Sequence, residues 1–527
     1  MINYAQEFSQ KETPQSEKIP GSKQVENSAG GYSFQVDHWT RLERFLILGS
    51  EGGSYYANER NLTIENCESA LKCIEENPRR TIDMIVDVSD SGRAPKNDQA
   101  IFLLALVSAS KNLQTRDLAY AALPKVCRIG THLFQFIEGM ESQRGWSRGM
   151  RTAVANWYKS KSIDNLAEQL TKYQQRNGWS HRDVLRLAHP KGTPAQSRLF
   201  AWSVGKLLTD AGLPKAIQGF QKAFESKDAK PKEAASIIIE YKLPRECVPT
   251  EWLVHAEVWE ALLDNMPMTA MIRNLGNMTK CELLVPLSAS SKLVIERLQD
   301  RALLKKQRIH PMTILTAMKI YAQGRGMRGS GIWTPVQSIV DALDEAFYLS
   351  FGNVTPTGKS LHLALDVSGS MDGSHIAGSP LTAREGSAAM ALITARTEKD
   401  YFITAFQDKM VEIAITPRMR LDDVIEKISD LPFGRTDCAQ PILYSAEQKI
   451  KNDAFVVYTD SETWAGNIHP TQALRQYRTA YGIPAKLVVV GMVSNGFTIA
   501  DPDDSGMLDV VGFDSAAPGV ISGFIRS

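Results

Sequence analysis

"LHLALDVSGSMDGS", Leu361 to Ser374, is an apolar run that stops at an aspartate and enters serines and glycines. The apolar part reads as a buried strand and the Gly- and Ser-rich part as the turn after it. Downstream, "YFITAFQ", "AFVVYTD" and "KLVVVGMV" repeat the short aliphatic grammar, and "AREGSAAMALITART", "LDDVIEKISDL" and "TQALRQYRTAYG" intervene with helical spacing. Strand and helix in alternation announce a parallel sheet covered on both faces, so residues 354–527 are expected to form an α/β doubly wound domain.

Open parallel sheets bind ligands at the carboxyl ends of their strands. Asp366 stands at such an end, and Ser368 and Ser370 follow at alternate positions as D-x-S-x-S. Thr436 and Asp437 in "FGRTDC", and Asp460 in "VVYTDSETW", offer further oxygens after later turns and strands. All are hard donors that suit Mg²⁺ or Mn²⁺ and poorly suit zinc or copper. Asp366 alone reads equally well as a helix N-cap; three such loops in order favour a metal. Covalent hydrolysis lacks its parts, because the serines have no G-x-S-x-G elbow and nothing makes His375 their base. The chain is expected not to be an enzyme.

At 527 residues the chain is too long for one core. From Tyr32 to about Leu349 the pattern is helical, as in "AIFLLALVSAS", "IDNLAEQLTKYQQ", "AEVWEALLDNM" and "MTILTAMKIYAQ". Breaks fall at Asn77-Pro78, Asn177-Gly178 and Leu213-Pro214, and a helical array is expected over residues 24–349. Residues 1–23 are polar and expected to be a flexible tail. "GRGMRG", Gly324 to Gly329, satisfies G-x-G-x-x-G but follows a helical run, so the dinucleotide context fails; Arg325 and Arg328 suggest a flexible basic loop. The six cysteines are scattered and read as reduced packing residues. No apolar run is long enough to span a bilayer or act as a signal, so the expectation is a cytoplasmic protein without membrane contact.

The net charge of +1 conceals an asymmetry. From Val354 onward there are 15 Lys+Arg against 21 Asp+Glu, and 45 against 38 before it. Arg128 to Arg198 alone holds 12 against 5. Trp146, Trp157, Tyr158, Tyr173, Trp179, His181 and His189 interleave with these charges and would either stack on bases or fill a core. "AEQLTKYQQRNGWSHRDVLRLAH" reads as a helix ending at Gly178, then a second helix capped by Ser180 with Asp183 at its third position and Trp179 stapled on Val184. That reading puts Lys172 and Arg176 on one helical face, with Arg182, Arg186 and His189 on the next helix. Rigid cations of this kind suit phosphates; composition alone leaves RNA, DNA and acidic protein open.

Two resemblances narrow the choice. Asp366, Ser368, Ser370, Thr436 and Asp460 resemble, in chain order, the metal-ion-dependent adhesion site of von Willebrand factor A domains, which implies Mg²⁺, or Mn²⁺, held with affinity to spare for an acidic partner. "RLERFLILGSEGGSYYANERNLTIEN" (41–66), "KYQQRNGWSHRDVLRLAH" (172–189), "EVWEALLDNMPMTAMIRNLGNM" (257–278), "RIHPMTILTAMKIYAQGRGMRG" (308–329) and "TPTGKSLHLALDVSGSM" (355–371) resemble successive segments of the Ro autoantigen family, the sixty-kilodalton Ro ribonucleoproteins. The likeness covers nearly the whole chain.

It implies an all-α ring of HEAT-like repeats, the TROVE module, closed by the von Willebrand A domain. In that family the outer surface holds small noncoding Y RNAs and the central hole takes single-stranded 3′ ends of misfolded or damaged RNA, for quality control or decay. Lys172, Arg176 and His189 match family positions that contact Y RNA. Arg144, Arg148, Arg151 and Lys191 are offered for the hole from charge and context. A partner such as an exoribonuclease, polynucleotide phosphorylase for example, would follow. The rival reading is a scaffold that recruits an acidic protein through the metal.

Overall fold

The computed structural model describes residues 12–50, 59–206, 212–307, 309–326, 331–351, 355–376, 381–432, 434–511 and 517–527. The C-terminal region builds a six-stranded sheet from β5 (Leu361–Asp366), β6 (Tyr401–Phe406), β7 (Met410–Glu412), β8 (Ala454–Thr459), β9 (Lys486–Gly491) and β11 (Met507–Val511), in the order β11-β9-β8-β5-β6-β7. Every pairing is parallel except β7 on β6. The period of two sends Leu363, Val456 and Val488 into one core and Ala364, Val457 and Val489 into the other, so both faces are buried and the strands read as unbroken apolar runs. With β5 central, its carboxyl end opens between neighbours on both sides.

Helices fill most of residues 38–349, from His38–Leu48 to Gln337–Leu349. Their starts are chemically specified. Asn77 caps the helix Pro78–Ser91 by accepting from the Arg80 amide, with Pro78 in the first turn, where its missing N–H costs nothing. Pro214 likewise precedes the helix Lys215–Glu225. Asn177-Gly178 does something else: both residues take positive φ, +52° and +77°, and close a hairpin between β3 (Gln175–Arg176) and β4 (Trp179–Ser180).

The array is divided between two cores. Trp39 to Ile217 enclose one of them. Residues from Ala223 to Phe351 share the other with a face of the sheet, so the later helices and the C-terminal domain are fused by continuous apolar packing. Among the described residues, the earlier helices take only Val511 of that domain into their core and otherwise meet it through polar contacts. Arg44, 1% exposed, bonds both Asp509 oxygens at 2.6 and 2.7 Å and the carbonyls of Asn495 and Phe497. At the other end Asp344 accepts from the Leu421 amide at 3.0 Å, Lys319 pairs with Glu385 at 2.5 Å, and Arg420 pairs with Asp341. Both ends of the array therefore rest on the C-terminal domain. They also touch each other, since His310 Nε2 lies 3.0 Å from the Arg93 carbonyl.

The expected flexible tail is overturned wherever it is described; residues 1–11 lie outside the described residues. Gln15 is fully buried and donates to Asp437 at 2.6 Å and the Ile468 carbonyl at 2.8 Å, and Gln24 meets His469 Nδ1 at 3.0 Å. The strands β1 (Val25–Glu26), β2 (Tyr32–Gln35) and β10 (Phe497–Thr498) then form a small sheet. Polar composition misled because these amides satisfy buried polar groups more than 400 positions away. Among the described residues no helix is long and apolar enough to cross a membrane.

Candidate metal centre and nucleic-acid interface

At the end of β5 the Asp366 carboxylate accepts from the Ser368 amide at 2.9 Å and the Thr459 hydroxyl at 2.6 Å. Asp366 therefore forms a local turn; Ser368 is the residue that precedes the short helix Gly369–Gly373. The Ser368 and Ser370 hydroxyls are 3.1 Å apart, and Ser370 bonds Asp460, whose carboxylate also accepts from the Glu462 amide at 3.1 Å. Four of the five expected ligands thus converge. Thr436 arrives on the neighbouring loop, buried, with its carbonyl accepting from Trp464 and Ala465 at 3.0 Å. Asp437 is turned to other work: it takes Gln15, Gln440 and the Ala439 amide.

Burial pushes the carboxyls of Asp366 and Asp460 up, and for Asp460 the charges of Asp366 and Glu462 add to it. Glu462, 2% exposed, is pushed up to about 7 by burial, against hydrogen bonds from Asn495 and Ser28. Arg384 is the buried cation beside this group, donating to the Val367 carbonyl and lowered by its own burial. Of the three buried carboxylates, Asp366 is the one that Arg384 offsets. Among the described residues no three His, Cys, Asp or Glu stand at metal-holding distances, so a cation here would rely on two carboxylates and serine and threonine hydroxyls. That donor set fits a hard divalent ion, and the excess of buried negative charge gives the ion a reason to bind. His375 is exposed and held in a backbone bridge to Thr382.

The basic region departs from its expected geometry. The helix Ile163–Lys172 ends at Lys172, six residues before Gly178, and Arg176 lies on β3 opposite Trp179. Lys172 and Arg176 therefore do not share a helical face. The Asn-Gly turn wins over helix continuation because both residues accept left-handed backbone, and Asn177 is fastened to Glu138. The hairpin still brings the two cations together: with Thr131, Tyr173, Gln174, Gln175 and Glu246 they line a cavity of about 380 Å³.

Lys172 is held close, 3.5 Å from Glu168 with its side chain 16% exposed. Burial opposes its charge, but Tyr173, Glu168 and Glu246 outweigh burial and its pKa is raised. Ser180 caps the next helix, His181–Ala188, in a reciprocal box with Asp183 as expected. Arg182 and Arg186 are exposed on that helix, His189 ends it at φ +45°, exposed, and Lys191 follows, also exposed. Trp179 lies against Trp146, ring centroids 5.8 Å apart. Arg148 and Arg151 are exposed on the helix Arg148–Lys159, and Arg144 is exposed and bonds the Ser110 carbonyl at 3.3 Å.

Trp157, Tyr158 and His181 belong to the core. His181 joins the Tyr158 hydroxyl at 2.7 Å and the Gln169 carbonyl at 3.0 Å, and burial lowers it to about 4.

A family model for the TROVE domain matches residues 25–242 and 239–359, and one for the Ro60 vWA domain matches residues 360–525. The chain belongs to the Ro60 family. It is 44% identical over 97% of its length to "RNA-binding protein RO60" of Deinococcus radiodurans, covering 97% of that protein. It is 37% identical to the Caenorhabditis elegans protein of the same name, over 97% of this chain and 91% of that one. The crystal structure of the Deinococcus radiodurans Ro (Rsr) protein aligns with a TM-score of 0.71 at 44% identity, over 93% of this chain and 99% of that one.

Three features of this Ro60 family member escaped the sequence reading. Glu462 follows Asp460 by two positions, and an acidic residue there was the available signal. Ser28, which donates its amide to Glu462, and Glu246, which faces Lys172, are brought in by the tertiary fold from remote segments.

Proposed function

We propose that this chain is the RNA-binding core of a ribonucleoprotein. The observation that carries the reading is the set of exposed basic residues on one hairpin and the helix after it, Arg176, Arg182, Arg186 and His189, with the half-buried Lys172 before them. Rigid cations of this density meet phosphates, and the relatives named above are called RNA-binding proteins. In this reading the hairpin and the helix after it hold a Y-like small noncoding RNA. Arg144, Arg148, Arg151 and Lys191 receive single-stranded 3′ ends of misfolded or damaged RNA within the ring, for quality control or decay. The RNA is held and not cleaved.

A second reading coexists with this one, favoured by the buried carboxylates. Asp366, Asp460, Ser368, Ser370 and Thr436 would hold Mg²⁺, or Mn²⁺, and the ion would supply an attachment point for an acidic group of a partner, such as an exoribonuclease like polynucleotide phosphorylase.

An electrophoretic titration with a labelled Y-like hairpin RNA tests the first reading. Lys172→Ala with Arg176→Ala should weaken binding at least tenfold, and binding should fall steeply with salt. Unchanged affinity removes the hairpin from the site, and a wild-type protein that binds no RNA at low salt removes the reading.

A further inference from the structure

The turn after the helix Pro311–Ala322 begins with the "GRGMRG" sequence and plays no part in the site above; residues 327–330, with Arg328, lie outside the described residues. Trp333 closes that turn. Its indole N–H donates to the Tyr321 carbonyl at 3.0 Å, and its ring lies 19° from parallel to Tyr321. The indole rests flat on the helix Met268–Lys280 at Gly276, where a Cβ would come within 2.7 Å of it. Gly324, at φ +70°, leaves the Trp333 carbonyl similar room. Glycine at both positions is the condition for the Trp333 ring and carbonyl to sit this close.

That wall bounds a cavity of about 400 Å³ whose apolar lining includes Ile272, Leu275, Met312 and Ile320. Among the described residues Lys96 and Arg273 are the cations of its lining, and the exposed Asn277 also lines it. The Asn277 side chain donates one N–H to the Asn274 side-chain oxygen at 3.0 Å, and among the described residues nothing else engages its second N–H or its Oδ1, so they can face a ligand. Pro95 and Lys96 reach the cavity from the link before the helix Asp98–Ser108, so early and late segments of the array both line it.

An apolar, aromatic-walled cavity with a side-chain amide and two cations on its lining has the parts that a nucleotide needs. The base stacks, its edge meets an amide, and its phosphate meets the cations. We propose that this cavity is a subsite for one unpaired nucleobase of single-stranded RNA, stacked on Trp333, with Asn277 on its edge and its phosphate toward Lys96 and Arg273. The inference rests on the RNA-binding reading and adds a second, separate contact. Sequence tolerance follows, because every base has a stacking face and a neighbouring donor and acceptor.

The test uses the full chain and a single-stranded oligoribonucleotide carrying 2-aminopurine. Wild-type protein should quench its fluorescence. Ala317→Phe, which fills the cavity, should abolish the quench and weaken single-strand binding about tenfold, and Asn277→Ala should weaken it severalfold. Hairpin RNA should bind Ala317→Phe as it binds wild type, which also shows the variant folded. Adenosine 5′-monophosphate that relieves the quench identifies a subsite open to free nucleotides; one that fails to compete identifies a subsite filled only from a strand. Quench and affinity unchanged in both variants would overturn the subsite, as would a wild type that binds hairpin RNA without quenching the single strand. Loss of both RNAs from wild type would strike the RNA-binding reading itself.

Discussion

Arg44 and Asp509, 465 positions apart, meet in a two-pronged ion pair at 2.6 and 2.7 Å that fastens the first helix of the array to the edge strand of the C-terminal sheet. Arg44 is 1% exposed, and its Nη1 donates to the backbone carbonyls of Phe497 and Asn495 at 2.9 and 3.1 Å, while Nε has no partner among the described residues. Removing one partner leaves the other charge buried and uncompensated. Arg44→Ala is expected to destabilise the chain by about 3–5 kcal/mol. Denaturant titration checks it, and a loss below about 1 kcal/mol would mean that the early helices are held by other contacts.

The opposite closure should behave differently. Arg420 and Asp341 have side chains 33% and 52% exposed, and water screens the pair. Arg420→Ala is expected to cost under about 1 kcal/mol in the same titration.

The hairpin at Asn177-Gly178 sets where Lys172 and Arg176 meet, and Gly178 sits at φ +77°. A β-branched side chain there strains the turn by about 1–2 kcal/mol. Gly178→Val should lower hairpin RNA affinity while leaving the far-ultraviolet spectrum intact; equal affinity would show that the turn does not position the cations. In Lys172→Ala with Arg176→Ala, the slope of log affinity against log salt should shrink by about 2, one for each phosphate that is no longer neutralised.

Acid should act through buried histidines. His132, His181 and His362 are lowered to about 4, about 4 and about 3, burial being the main cause. Between roughly pH 6.5 and 4 the unfolded chain binds more protons than the native one, so stability is present above that window and lost as pH falls through it. The raised carboxyls of Asp366, Asp460 and Glu462 act in reverse while no ion is bound, since the native chain then keeps protons that the unfolded chain has released. A bound divalent ion keeps its carboxylate ligands ionised and turns their contribution around. Thermal midpoints should therefore fall more steeply between pH 6.5 and 4.5 in saturating Mg²⁺ than in chelator. Identical slopes would argue that no ion engages these carboxylates.

The N-terminal segment is expected to stabilise the C-terminal domain. Gln15→Ala removes one of three donors to the buried Asp437 carboxylate and the donor to the Ile468 carbonyl, and should cost about 1–3 kcal/mol by thermal or chemical denaturation. No measurable loss would return residues 12–23 to the status of a tail.

Much was legible from the chain alone, and for local reasons. Apolar runs ending at Asp366 and Asp460 specify strands whose ends carry oxygens, because burial on both faces demands aliphatic residues and a turn demands glycine and serine. The Ser180 and Asp183 capping box was readable for the same reason: both partners lie within one turn. Tertiary structure decided whatever depends on residues far apart. It joined Gln15 to Asp437, placed Ser28 on Glu462 and Glu246 beside Lys172, and set Trp333 on Gly276. It also decided the hairpin at Arg176, where the turn's backbone geometry and the anchor at Glu138 outweighed continued helix. Periodicity records which face of an element is buried, and only the folded chain determines what that face is buried against.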